Sequence, residues 1–235
     1  MKKILISTLA MMFTTIFIFA QPPLQGVDGP ISTDDLTDLK RMYLETIRYS
    51  QLTGQNEEIN GSSYILENFV TAKINHFKDV HLVRYNASTD DMEFKNGKDE
   101  IFVLNKSNDY TVTLNSSRKV YQTILHPNGK RGFAVLLWKS KDSNTSLFLR
   151  ERIEFIPKKP AASSYSKDQP AEFKRLKDVL YLKDGAELIE IPTGKKKFFA
   201  LFKDREKEVQ QFAKKNKLKI TDQEDIIKIL DFYTS

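Results

Sequence analysis

The sequence predicts an α+β protein: an antiparallel β sandwich or roll, with one helix before it and a small C-terminal helical cap. Three observations carry that expectation. Residues 133–138, Phe-Ala-Val-Leu-Leu-Trp, are apolar at every position, with Lys130 and Arg131 before them and Lys139 and Lys141 after. A run that is apolar on both faces suits a strand in the middle of a sheet, covered above and below, and six residues are too few to cross a membrane as a helix. Asn96-Gly97, Asn128-Gly129 and Asp184-Gly185 each separate two strand-like runs. Such pairs tolerate positive φ and mark tight hairpins. Beyond residue 197 the apolar spacing changes from two to near 3.6.

Residues 1–20 read as a secretory signal peptide. Lys2 and Lys3 form the basic start, residues 4–19 carry no charge, and Ala20 is a small residue at a plausible cleavage point. Residues 21–60 form an N-terminal extension. It opens with Pro22, Pro23, Gly26, Gly29 and Pro30, which predict an extended leader. Ser32-Thr33-Asp34-Asp35 then starts a helix over 34–51, because hydroxyls cap it and acids suit its positive end. Leu36, Leu39, Tyr43 and Ile47 make its apolar stripe, with the β core as the expected target.

A β-rich region is expected over 61–157. Strand signals fall at 69–74, 81–86, 91–94, 100–104, 110–114, 120–125, 133–138, 146–150 and 152–156. Turn signals between them favour antiparallel neighbours over βαβ units. Residues 158–171 are Pro-, Ala- and Ser-rich and read as a linker loop. Residues 172–235 are expected to hold a hairpin, 179–182 with 187–191, followed by helices at 198–202, 205–217 and from Thr221 onward. Thr221-Asp222-Gln223-Glu224 reads as a capping box, with the Thr221 hydroxyl on the Glu224 amide.

Composition narrows the function classes. The 37 basic and 31 acidic residues give a net charge of +6; without Lys2 and Lys3 the balance is 35 against 31, or +4. Both signs are mixed along the chain, unlike a nucleic-acid binder, so no nucleic-acid partner is expected. Cysteine is absent, which removes thiol nucleophiles and disulfides, and the chain has length enough to bury a core without them. No P-loop, Gly-x-Ser-x-Gly elbow or Gly-x-Gly-x-x-Gly occurs.

The residues at 61–69 (Gly-Ser-Ser-Tyr-Ile-Leu-Glu-Asn-Phe), Val83-Arg84-Tyr85-Asn86, Asp90-Asp91-Met92-Glu93-Phe94, Lys214-Lys215-Asn216-Lys217-Leu218 and Asp231-Phe232-Tyr233 appear in that order. With the signal ending at Ala20-Gln21, this resembles a group of uncharacterised exported proteins of Bacteroidota. The resemblance covers about 61–235, and residues 21–60 depart from it. It implies compartment and source, not an activity.

The densest polar constellation beside a strand is Asp90, Asp91 and Glu93, with Arg84 nearby. Three carboxylates can hold a hard cation or supply an acid and a base. The competing reading makes Asp90 and Asp91 turn formers and sets Glu93 on an exposed face across from Arg84. His76, His81 and His126 lack the spacing of a zinc site, so no metal and no cofactor are expected. Lys195-Lys196-Lys197 and Lys214-Lys215-Asn216-Lys217 could touch an anionic lipid or polysaccharide, or be solvated faces. Trp138 and Tyr85 could stack on a sugar, although an aromatic in an apolar strand more often belongs to the core. The expectation is a non-catalytic exported protein, periplasmic or secreted, that binds or scaffolds at the cell envelope. Its partner would be an envelope protein or an anionic polysaccharide, with no membrane span after signal cleavage. The alternative is an exported hydrolase or lyase using carboxylates, with Asp91 and Glu93 as its acids.

Overall fold

Gly129 at φ 76° and Gly185 at φ 59° turn two of the expected hairpins, since only a residue without Cβ enters this region at little cost. The computed structural model describes residues 59–96, 100–141, 144–161 and 167–235. The expected signal peptide, the helix expected over 34–51 and Gly97 of the Asn96-Gly97 pair lie outside them.

Twelve strands run in order among the described residues: β1 (Val70–Ile74), β2 (Val80–Asn86), β3 (Asp91–Lys95), β4 (Ile101–Val103), β5 (Thr111–Leu114), β6 (Val120–Leu125), β7 (Arg131–Lys139), β8 (Thr145–Arg150), β9 (Ile153–Ile156), β10 (Glu172–Arg175), β11 (Val179–Asp184) and β12 (Glu187–Glu190). Ten form one sheet in the order β12-β11-β8-β7-β6-β5-β1-β2-β3-β4, and β9 and β10 pair separately. The pairings between named strands are antiparallel. Ten of the twelve strands thus form one continuous sheet, and its curl brings β3 back into contact with β7, as strand twist accumulated across many strands allows. Ala72, Ile74, Val83, Tyr85, Val112, Leu114 and Tyr121 are buried, alternating along their strands with more exposed neighbours.

β7 sits between β6 and β8 and is buried from Gly132 to Val135, as its two-faced apolar pattern requires. Its register against β8 shifts between Leu136 and Trp138. The extra residue of such a bulge turns consecutive side chains to one side. Leu137 and Trp138 both pack against the C-terminal helices, and Trp138 Nε1 donates to Asp231 at 2.7 Å.

Two features add to the expected strands. β10 was not expected, because Glu-Phe-Lys-Arg has a single apolar residue. It forms because Phe173 meets Phe155 across the pair, with ring centroids 5.1 Å apart. Within the stretch expected to be a linker loop, Lys159 and Gln169 exchange backbone hydrogen bonds at 2.9 and 2.8 Å beyond this β9–β10 pair. The sheet continues past them, since β11 pairs with β8 along six residues.

Helices α1 (Lys195–Ala200), α2 (Glu206–Lys215) and α3 (Gln223–Thr234), with a 3₁₀ turn at Lys203–Arg205, cover the β8–β11 end of the sheet. Phe198, Phe202, Val209, Ile226, Ile229 and Leu230 bury against Leu147, Leu182 and Ile191. Among the described residues no helix is long and apolar enough to cross a membrane.

The cap of α3 lies one residue later than expected. Asp222 is in extended conformation at φ −100°, and its carboxylate accepts from the Asp225 amide at 3.0 Å. A carboxylate here satisfies an orphan N–H and meets the positive end of the helix dipole, which a hydroxyl does only in part. Asp222→Ala should therefore cost about 1 kcal/mol, read as a lower urea midpoint. Thr221→Ala should stay within about 0.5 kcal/mol. The reverse order of effects would return the cap to Thr221.

Candidate functional site

The β2–β3 turn builds the site. Asn86 Oδ1 accepts from the amides of Ser88 at 3.1 Å and Thr89 at 3.2 Å, the Asx arrangement that folds a short turn onto itself. Asp90 then takes φ 60°, a left-handed conformation that Asp tolerates better than most residues. Its carboxylate points at β7. There the β7–β8 ladder has ended at Val135↔Leu149, which leaves the Phe133 amide without a strand partner.

Asp90 supplies that partner. Its Oδ1 accepts from the Phe133 amide at 2.7 Å and from the Tyr85 hydroxyl at 2.9 Å. Its Oδ2 accepts from His126 Nε2 at 2.9 Å and lies 3.5 Å from Arg150 Nη2. Asp90 is 8% exposed and His126 2%. A carboxylate oxygen accepts here, so Nε2 is the donating nitrogen of His126; among the described residues its buried Nδ1 has no partner. The approach of the two side chains depends on Gly132. A Cβ there would lie 1.9 Å from Asp90 Oδ2 and 2.6 Å from His126 Nε2, closer than any real contact.

The other acids are held one by one. Asp91 pairs with Lys106 Nζ at 2.8 Å, and that ammonium also donates to the carbonyls of Asp90 at 3.0 Å and Thr89 at 3.3 Å. Arg84 and Glu93 are register partners on β2 and β3. Arg84 donates to Glu93 Oε2 through Nη2 at 2.8 Å and Nε at 3.2 Å. Its guanidinium lies over the rings of Tyr64 and Phe69, 3.6 and 4.4 Å from their centroids, a cation–π contact on both. Tyr64 donates to Glu93 Oε1 at 2.9 Å. The cross-strand pairing of Arg84 and Glu93 was expected; burial of Glu93 to 9% exposure was not. Tyr64 and Phe69 cover what the strand pattern alone leaves open.

A second buried carboxylate continues the polar path. Glu151 accepts from the Tyr121 hydroxyl at 2.6 Å and from Lys119 Nζ at 2.9 Å. The Tyr85 and Tyr121 rings are 5.0 Å apart. Burial, reinforced by the facing carboxylates, pushes both phenols well above their ordinary range. Tyr64 is pushed up to about 12, by burial first and by Glu93 second.

Asp90, Asp91 and Glu93 thus sit close in the chain but do not converge. Each has its own cation or donors, and among the described residues no three His, Asp or Glu form a common ligand set. The nearby interior cavity, between Val83, Arg84, Tyr85, Met92, Leu114 and Tyr121, measures about 10 Å³, room for about one water. A carboxylate whose lone pairs are occupied by internal donors is poorly placed to take a substrate proton. Sequence reasoning missed His126, Arg150, Lys106, Glu151 and Gly132 as members of these clusters. Gly132 had a legible signal, since a lone Gly inside a strand often marks a close approach. The chain matches no protein-family model, no curated protein and no solved structure.

Two outcomes are expected. Asp90→Asn keeps the shape and one acceptor oxygen for the Phe133 amide, but sets its NH2 against the His126 donor and removes the charge facing Arg150, so it should cost about 3 kcal/mol. Gly132→Ala should be at least as damaging. Urea unfolding checks both, and a change under 0.5 kcal/mol in either variant would contradict the arrangement. Alkali is the second lever. The unfolded phenol ionises near 10 and folded Tyr64 at about 12. The folded state therefore holds its proton longer, and stability is lost as pH rises from 10 towards 12. In a tyrosinate absorbance titration, Tyr64→Phe should remove one late step; a native titration in which every tyrosine ionises together near pH 10 would exclude this.

Proposed function

We propose that this is a non-catalytic exported protein that binds or scaffolds at the cell envelope. Residues 1–20 serve as the export signal in this reading, residues 34–51 as an added helix, and the curled sheet as a roll. One observation carries the non-catalytic part. The carboxylates that came nearest to an acid/base set are held by internal donors, with Asp90 alone meeting Phe133, Tyr85 and His126. They act as fasteners of the fold.

The binding part draws on two exposed basic clusters. Lys195, Lys196 and Lys197 are exposed in the first turn of α1, where no acid is present and Gly194 offers no side-chain cap. Lysines at the positive end of a helix dipole weaken the helix, so folding by itself does not favour them there. Lys214, Lys215 and Lys217 are exposed at the end of α2. An anionic polysaccharide or an acidic face of an envelope protein would offset this charge at both places.

Fractionation of the native cells should place the protein in the envelope or the medium; a cytosolic protein would sink the proposal. Retention on an alginate column should fall with salt and drop about ten-fold when Lys195, Lys196 and Lys197 are replaced by Gln. Unchanged retention would remove this cluster from the binding role.

A further inference from the structure

We infer a second site that does not depend on the envelope reading: a cleft for a small monoanion carried on an aliphatic body, such as a medium-chain carboxylate. The cleft measures about 240 Å³ and opens beside β11 and β12, where the segments before β9, before β11, after β12 and before α3 meet. Pockets for drug-sized ligands run from about 300 Å³ upward, so the occupant is smaller.

Two cations line it. Arg152 comes from the residues between β8 and β9, and Lys177 from the turn between β10 and β11. The backbone sets them side by side, because the Leu176 amide donates to the Arg152 carbonyl at 3.0 Å. Arg175 also donates to that carbonyl, at 2.8 Å, and is ion-paired to Asp178 Oδ1 at 2.5 Å, off the line of a hydrogen bond. Arg175 thereby occupies the nearest acid. Among the described residues neither Arg152 nor Lys177 makes an ion pair or a side-chain hydrogen bond. Arg152 is half-buried. An unpaired guanidinium keeps its donors open, and a bound carboxylate would take two of them in parallel hydrogen bonds.

The rest of the lining selects the body of the ligand. Leu180, Ile191 and Ile220 are apolar, and Thr193 and Thr221 add hydroxyls. Asp178 and Glu190 also line the cleft, so its acids and bases balance; a dianion such as phosphate finds no surplus of positive charge there, whereas a monoanion needs only the Arg152 fork. Among the described residues no aromatic ring lines the cleft, which leaves a sugar no face to stack on there. Charge at one end and an aliphatic remainder match both halves of the lining.

The full chain, labelled with ¹⁵N, can be titrated with octanoate, octanamide and inorganic phosphate while amide shifts are followed. Octanoate should bind saturably with a sub-millimolar Kd and move the Thr193, Ile220 and Thr221 amides. Octanamide and phosphate should each bind at least about ten-fold more weakly. Arg152→Gln, whose side chain holds no other described residue, should weaken octanoate about ten-fold, a loss of about 1.4 kcal/mol. Lys174→Gln, outside the cleft, should leave it unchanged. No saturation, shifts that avoid the cleft, or equal binding by Arg152→Gln would overturn the site. Octanamide or phosphate binding as well as octanoate would overturn the ligand class.

Discussion

The hydrogen bond from the Phe133 amide to Asp90 is the contact on which the curled sheet depends. A sheet that twists back on itself presents a strand edge wherever one neighbour diverges, and β7 does so once β8 leaves it after Val135↔Leu149. An unpaired buried amide costs about 1–3 kcal/mol. A side chain from the β2–β3 turn, 43 residues away in sequence, satisfies it. The closure is made by one carboxylate instead of a strand ladder, so it needs a fixed turn, a left-handed Asp90 and a bare Gly132. The first two conditions are met by the β2–β3 turn and the third by β7.

The same carboxylate begins a polar path through an apolar interior. His126 and Arg150 sit on one side of Asp90 and Tyr85 on the other; Tyr85 leads to Tyr121 and so to Glu151 and Lys119. Pairs of this kind add little net stability over a well-packed apolar core, because desolvation offsets most of the attraction. Their effect is on uniqueness. A one-residue slip of β2 against β3 would turn Tyr85 out of the core and separate Arg84 from Glu93, so the polar partners penalise the wrong register far more than leucines would.

The helical end is held by a different device. The β7 bulge turns Leu137 and Trp138 towards the cluster around Phe198, Phe202 and Leu230. The sheet and the helices therefore share a strand, and α1, only six residues long, is stabilised by this packing and not by its own propensity. The cleft beside β11 and β12 lies where sheet and helices begin to separate, which is where a packed molecule most readily leaves room for a ligand.

Strand positions, the central place of residues 133–138, the Asn128-Gly129 and Asp184-Gly185 turns and the helical C-terminus were all legible in the sequence. Each is written in contacts a few residues long: alternation, turn chemistry and helical period. The Arg84–Glu93 pair was legible for the same reason, since a hairpin sets its own cross-strand partners. The short β10, the joining of β11 to β8 and the meeting of Asp90 with His126, Phe133 and Arg150 were not. Those partners stand 36, 43 and 60 residues from Asp90, and no local pattern encodes which strands a curling sheet will bring together. What the sequence by itself determined is therefore the set of elements and their faces. Only the tertiary structure decided which acids are buried and which cations are left without one, because burial and pairing depend on distances that exist once the sheet has closed.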